Sequence, residues 1–530
     1  MRLRGFCLIA CAACLLAPEA LRAQVPPPPD PEVPNRFRAE FRAILEEEAR
    51  QIERLAASLQ DPGQQRAVRS AIPKPHAEPA DTFHILSDII DLPSPGTDAP
   101  RNPQLVAIQN QTIAALRDLA ARAGNAPRGR YGLADRCLRA ILDRNPSDPQ
   151  TLKLLGYTKR SDNRWVSDHA ARLLDSGYQL HPSFGWVQAD WIPRLEQGQL
   201  PGALSGSRVT QWVPAAEADA LRASFSDAWQ IKTAAHFEIR TNAPLAEGVA
   251  LARKLEALNE VFFAQLGDVV GKERLPLAAR LRPNAAASAR GPAPTRKHQV
   301  WYFADRQDYI DFFRKLGKDE RVSLGYYMPS AEARGLRQPA PRSYFFRDPG
   351  GSLEAQATLF HETSHQLLFE CAGPTRYDRN PGNFWVWEGL GTYFETLIPA
   401  QNGTWSIGSW IGPRLEEARK IFLDRRDPIP TSELVRLNQA AFLAEPAVYR
   451  HYPQAMALTL FLLHSDQAAY REAFLDFVTE AYHGRARAGT LSELLGLSYE
   501  VLDQRLARFI AQVSTDAREP GQNPRDAATP

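Results

Sequence analysis

Hydrophobic and polar positions along the chain fall into distinct textures. Residues 35–59 place Phe37, Phe41, Ile44 and Leu45 on one side with charges between them, which predicts an amphipathic helix. Residues 72–103 are rich in Pro, Asp and Ser, an irregular connection with one short apolar element near "FHILSDIIDL". Helical spacing resumes from Pro103 to about Lys159. Near Ala228 the texture becomes mixed. "HFEIRT" alternates as a strand does, "AEGVALARKLEALNEVFFAQLG" has helical spacing, and "HQVWYFA" is strand-like and runs into "RQDYIDFFRKLG". "NAAASARGPAPTRK" is a flexible loop by composition, "RSYFFRD" is a further strand, and from Pro381 onward nearly every segment is helical.

Two stretches carry repeat character. "YGLADRCLRAILDRNPSDPQTLKLLGY" sets Ala134, Leu138 and Ile141 on one face before Asn145-Pro146 and resembles a tetratricopeptide-type helix hairpin. One such unit cannot bury its own face and no run of three follows, so it reads as a packing or docking module that could take a protein partner. Then "RWVSDHAARLLDSG", "GWVQADWIPRLEQG" and "QWVPAAEADALRAS" each give Trp-Val, a polar step and a helix. Tryptophan as the core anchor of a small helical unit is favoured over a glycan- or peptide-stacking surface, because buried aromatics usually serve as core.

Composition narrows the class. With 44% hydrophobic and 23% charged residues, most of the 530-residue chain should fold, and its length suggests about three domains. Lys plus Arg exceeds Asp plus Glu by two, which nominates no nucleic acid and no acidic partner. The start, basic at Arg2 and Arg4 and then apolar to Ala17, has the layout of a signal peptide and is too short to span a bilayer. Export to a periplasmic or extracellular location is expected, with the mature chain beginning near Gln24 and no transmembrane segment after it. "LIAC" resembles a lipoprotein box, but too little apolar chain precedes it for lipid anchoring to be preferred. Cys137 and Cys371, the cysteines beyond this segment, read as buried small hydrophobes.

The chemistry lies in "TLFHETSHQLLFE". Ser352 can cap this helix and Gly373-Pro374 can end it, so the motif is mid-helix. At 3.6 residues per turn His361 and His365 share a face, with Glu362 beside them: two neutral nitrogens for a metal ion and a carboxylate to take a proton from water. The pattern alone arises by chance in roughly one chain of this composition in a hundred. A third ligand is needed, and "NFWVWEGLGTYFETL" offers Glu388 on the next helix, where Gly389 and Gly391 would permit close approach. No Gly-x-Ser-x-Gly elbow and no phosphate loop competes. His464 and His483 read as surface or core residues.

His361-Glu362-x-x-His365 followed by Glu388-Gly-Leu-Gly-Thr-Tyr-Phe-Glu395 resembles the gluzincin branch of zinc metallopeptidases, in the peptidase MA-like superfamily, over about 228–512. The resemblance implies one Zn2+ held by His361, His365 and Glu388, Glu362 as general base, and a peptide or protein substrate. Better-known members carry an aspartate where this chain has Thr392, which leaves the partner of the first histidine to Glu395 or a backbone carbonyl. Tyr452, placed before a predicted helix, is the first candidate to stabilise an oxyanion, and His451 the second. "RSYFFRD" is either an edge strand for an extended peptide or a core strand.

The expected architecture is α+β. A signal peptide (1–23) and Pro-rich linker (24–34) precede a helical region (35–160) and a Trp-Val repeat region read as helical (161–227). A zincin-like domain (228–512) with a mixed sheet, active-site helix and helical C-terminal subdomain follows, then a disordered tail (513–530). The expected function is an exported zinc peptidase. The alternative is an inert zinc-binding scaffold, or a peptide- or glycan-binding protein working through its N-terminal repeats.

Overall fold

A computed structural model describes residues 36–72, 81–91, 102–205, 208–270, 276–281, 296–317, 324–329, 341–371, 381–400, 403–410 and 412–516. The expected signal peptide, the Pro-rich linker, most of the loop at 284–297, Gly373-Pro374 and most of the tail lie outside the described residues. Residues 513–516, expected to belong to the disordered tail, instead close the last helix, Tyr499–Asp516. The fold is α+β, with many helices and small sheets.

The five-stranded mixed sheet runs in the order Gly325–Met328, Arg342–Phe346, His298–Phe303, Phe237–Thr241, Trp229–Ile231. Its three central strands are parallel and the outer two antiparallel. The alternation in "HFEIRT" is realised: Phe237, Ile239 and Thr241 are buried, while Glu238 and Arg240 are half-buried. The helices Leu245–Leu266 and Leu353–Cys371 share the core that holds Phe237, Ile239, Val300 and Phe345. The helix Arg306–Lys315 packs an aromatic cluster of Phe303, Tyr309, Phe313 and Tyr344 against the sheet. "RSYFFRD" is therefore an interior strand, paired on both sides; the outer position belongs to Gly325–Met328.

The N-terminal helices Arg36–Ser58, Pro103–Gly124 and Tyr131–Arg144 are not a separate body. Phe41, Ile113, Leu116 and Leu138 belong to the same hydrophobic cluster as Phe262, Phe360, Trp385 and Leu458. Around "FHILSDIIDL", where one short apolar element is expected, two short strands form: Asp81–His84, antiparallel with Thr404–Ile407, and Ile89–Ile90, antiparallel with Trp165–Ser167. Ala134, Leu138 and Ile141 are buried as the hairpin reading required, but its second helix is short, Pro149–Leu155, and ends on Gly156 in the left-handed region.

The Trp-Val region corrects its reading as helical. Each unit is a β-hairpin followed by a short helix, and Trp-Val lies on the second strand: Trp165–Ser167, Gly185–Gln188 and Arg208–Pro214. Each pairs with the strand before it in matching register, Thr158 with Val166, Gln179 with Val187, Leu200 with Val213. In every copy a glycine at positive φ (Gly156, Gly177, Gly198) opens the hairpin. Its carbonyl accepts a 2.9 Å hydrogen bond from the N–H that starts the following helix, that of Asp168, Ala189 or Ala215. Trp165 and Trp186 are buried, and Trp212 is half-buried, edge-on to Trp191 with ring centres 5.7 Å apart. The tryptophans thus serve as core anchors. Among the described residues no helix is long and apolar enough to cross a membrane.

Candidate metal centre

The site is assembled by three helices: Leu353–Cys371, Trp385–Phe394 and Val448–Ala468. Ser352 caps the first, its Oγ accepting from the Ala355 N–H at 3.1 Å. His361 and His365, one turn apart, bring their Nε2 atoms to 3.1 Å. Glu388 Oε2 lies 3.4 Å from His361 Nε2 and 3.9 Å from His365 Nε2. Ligands at about 2.0–2.1 Å from a tetrahedral ion stand about 3.3 Å from each other, so these separations match three corners of a zinc site. All three side chains are buried, and neither oxygen of Glu388 makes a hydrogen bond of proper geometry. A buried carboxylate in that condition calls for a cation. Among the described residues this is the one group of three such side chains placed to hold a metal ion.

The electrostatics agree. Burial would lower the pKa of His361, but the Glu388 and Glu395 carboxylates outweigh it and push it up to about 10. Burial would raise that of Glu388, but the two rings hold it well below the carboxylate range. His365 is lowered, by burial and then by the neighbouring His361 charge, against the pull of Glu388. A proton on His361 thus balances the trio at neutral pH, and a divalent ion at the same point would serve all three donors.

The partner of the first histidine is Glu395, whose Oε1 lies 2.8 Å from His361 Nδ1. Seven positions after Glu388, it returns to the same helix face. Thr392 instead donates its hydroxyl back to the Glu388 carbonyl at 2.8 Å. Glu362 is buried, its Oε2 accepting the backbone N–H of Tyr327 from the outer strand at 3.1 Å. The two glycines divide their roles: Gly391 lies against the His361 ring, whereas Gly389 faces Thr459 and Ala455 of the third helix.

Tyr452 stands inside the third helix, which begins at Val448, a turn earlier than the spacing predicts. It is buried, and burial followed by the Glu388 carboxylate raises its pKa well above the ordinary phenol value. Its hydroxyl makes no hydrogen bond of proper geometry. His451 turns to the Phe442 carbonyl, 2.6 Å from its Nδ1, rather than joining the trio. Two contributors carried no sequence signal: Trp387, stacked on His365 at 5.7 Å and 3° between planes, and Arg414, whose Nε lies 2.8 Å from Glu395 Oε2.

Residues 355–483 match a family described as a protein of unknown function, DUF1570. The matched segment contains His361, Glu362, His365, Glu388, Glu395, Arg414 and Tyr452. No curated protein matches the chain.

Proposed function

We propose that the protein is a zinc-dependent peptidase of the gluzincin type, exported from the cell as its first residues suggest. The observation that carries this reading is a buried set of three donors, His361, His365 and Glu388, with the Glu362 carboxylate next in chain to the first. Three protein ligands are the number that catalytic zinc sites use, whereas structural sites use four. Zinc, when bound, supplies Lewis-acid polarisation of a carbonyl and makes water more acidic.

The rest of the chemistry falls to the chain's own side chains. Glu362, oriented by the Tyr327 N–H at Oε2, takes a proton from the attacking water at Oε1 and passes it to the leaving amine. Tyr452, kept protonated by its surroundings, donates its hydroxyl to the oxyanion. Glu395 holds His361 Nδ1 and so aims Nε2 at the ion. Trp387, parallel to His365 with ring centres 5.7 Å apart, packs beside that ring in the buried site.

The test measures bound zinc and hydrolysis of a mixed peptide library by wild type and Glu362→Gln. One zinc per chain in both proteins, with turnover reduced about 10²–10⁴-fold in the variant, supports the peptidase. Wild type that holds no zinc overturns it. Zinc without turnover favours an inert scaffold instead.

A further inference from the structure

Glu395 has a second partner besides His361. Arg414 Nε lies 2.8 Å from its Oε2 and 3.1 Å from its Oε1, while Arg414 Cζ sits 4.8 Å from the centre of the Tyr452 ring. We infer that Arg414 is a positioning residue, one guanidinium that holds the Glu395 carboxylate by its edge and the Tyr452 ring by its face. The metal-holding side of the centre and the tyrosine side are thereby kept in one register. The inference rests on the proposed peptidase only for its activity readout.

The physical case begins with Glu395, a largely buried carboxylate. Arg414 Nε reaches both of its oxygens while His361 Nδ1 lies against Oε1. Without that guanidinium the carboxylate would turn toward water, and His361 would lose the group that fixes its ring. The helix that carries Arg414, Pro413–Arg419, packs against the Tyr452 helix. Lysine cannot replace the arginine: an ammonium is a point charge, whereas a planar guanidinium can use edge and face at once.

The experiment compares wild type, Arg414→Ala, Arg414→Lys, Glu395→Gln and the double variant Arg414→Ala/Glu395→Gln. Circular dichroism checks each fold, zinc transfer to a chromogenic chelator gives the release rate, and kcat and KM are measured separately. Zinc release about 10–100-fold faster in Arg414→Ala and Arg414→Lys is expected, with kcat lowered and KM little changed. In zinc release the double variant should be no worse than the poorer single, since on the metal side both act through His361, and added guanidinium ion should slow release in Arg414→Ala. Wild-type release from folded Arg414→Lys overturns the inference, as do additive effects on zinc release in the double variant. Should Arg414→Ala lose its fold, the lysine variant decides. Zinc release needs no substrate, so a wild type that keeps zinc but cleaves nothing sinks the peptidase alone; a wild type without zinc sinks both.

Discussion

Gly389 and Gly391 stand two positions apart on one helix and answer to different neighbours. A Cβ on Gly391 would lie 2.7 Å from both Nε2 and Cε1 of His361, so Gly391→Ala must push that ring aside. A Cβ on Gly389 would lie 2.3 Å from Thr459 Oγ1 and 3.0 Å from the Ala455 carbonyl, so Gly389→Ala instead pries two helices apart. The first substitution is expected to weaken zinc binding by about tenfold or more, and the second to cost about 1–3 kcal/mol of stability with a smaller effect on zinc. Zinc competition and thermal denaturation on both variants check the contrast; equal zinc affinities would refute it. At this scale most of the site was legible. Spacing of four on a helix dictates where His361, Glu362 and His365 point, and the neighbouring motif supplied Glu388. Glu395 stood among open candidates because the roll of its helix against the first is a packing result. Arg414 was invisible because nothing local distinguishes an arginine that folds back onto a carboxylate from one in solvent.

Single side chains also tie whole elements together around the motif helix. Gln366, next to His365, reaches two central strands: its Oε1 accepts from Ser343 Oγ at 2.7 Å and its Nε2 donates to the Gln299 carbonyl at 3.1 Å. At the helix end, Glu370 Oε2 lies 2.7 Å from Nδ1 of His298, which opens the strand His298–Phe303. Burial would lower the pKa of His298, but the Cys371 sulfur and the Glu370 carboxylate push it up to about 10. A raised folded-state pKa stabilises fully below the unfolded value of about 6.5, and that contribution is lost as pH rises through about 10. Wild type should therefore exceed His298→Gln by about 1–3 kcal/mol at pH 6 and lose that advantage above pH 10. Urea denaturation of both proteins at pH 6, 8 and 10 measures the gap, and a gap constant with pH would rule the linkage out. The Trp-Val units show why element type was harder to read than element position. Strands such as Tyr157–Lys159 and Trp165–Ser167 are too short for a period of two to register, while the helix that follows each supplies the audible rhythm. The matching hydrogen bonds at Gly156, Gly177 and Gly198 depend on backbone geometry, which residue letters state only as a glycine.

On the scale of the whole molecule, the predicted boundary at residue 228 cuts through one core. Arg130 reaches across it to Asp476, its Nη1 and Nη2 each 3.0 Å from one carboxylate oxygen, and Arg139 Nη1 lies 2.6 Å from Glu260 Oε1. Asp81 accepts from Arg136 at 2.7 Å and from Gln265 at 2.9 Å, and lies 3.7 Å from the buried Arg471. The strand that carries Asp81 pairs with Thr404–Ile407, which begins ten positions after the Glu388 helix ends at Phe394. Removing one partner of a buried ion pair costs about 3–5 kcal/mol. Each large apolar side chain uncovered where the helix Leu245–Leu266 packs against Tyr131–Arg144 costs about 1.5–3 kcal/mol more. Domains have about 5–15 kcal/mol in total, so a fragment of residues 228–516 cannot meet that loss. It is expected to expose apolar surface to a dye such as ANS, to be cleaved rapidly by protease and to retain no zinc, while the chain with its N-terminal helices unfolds in one calorimetric transition. A soluble, protease-resistant fragment that holds zinc would show instead that the metal centre is self-sufficient and the helices in front of it are an accessory.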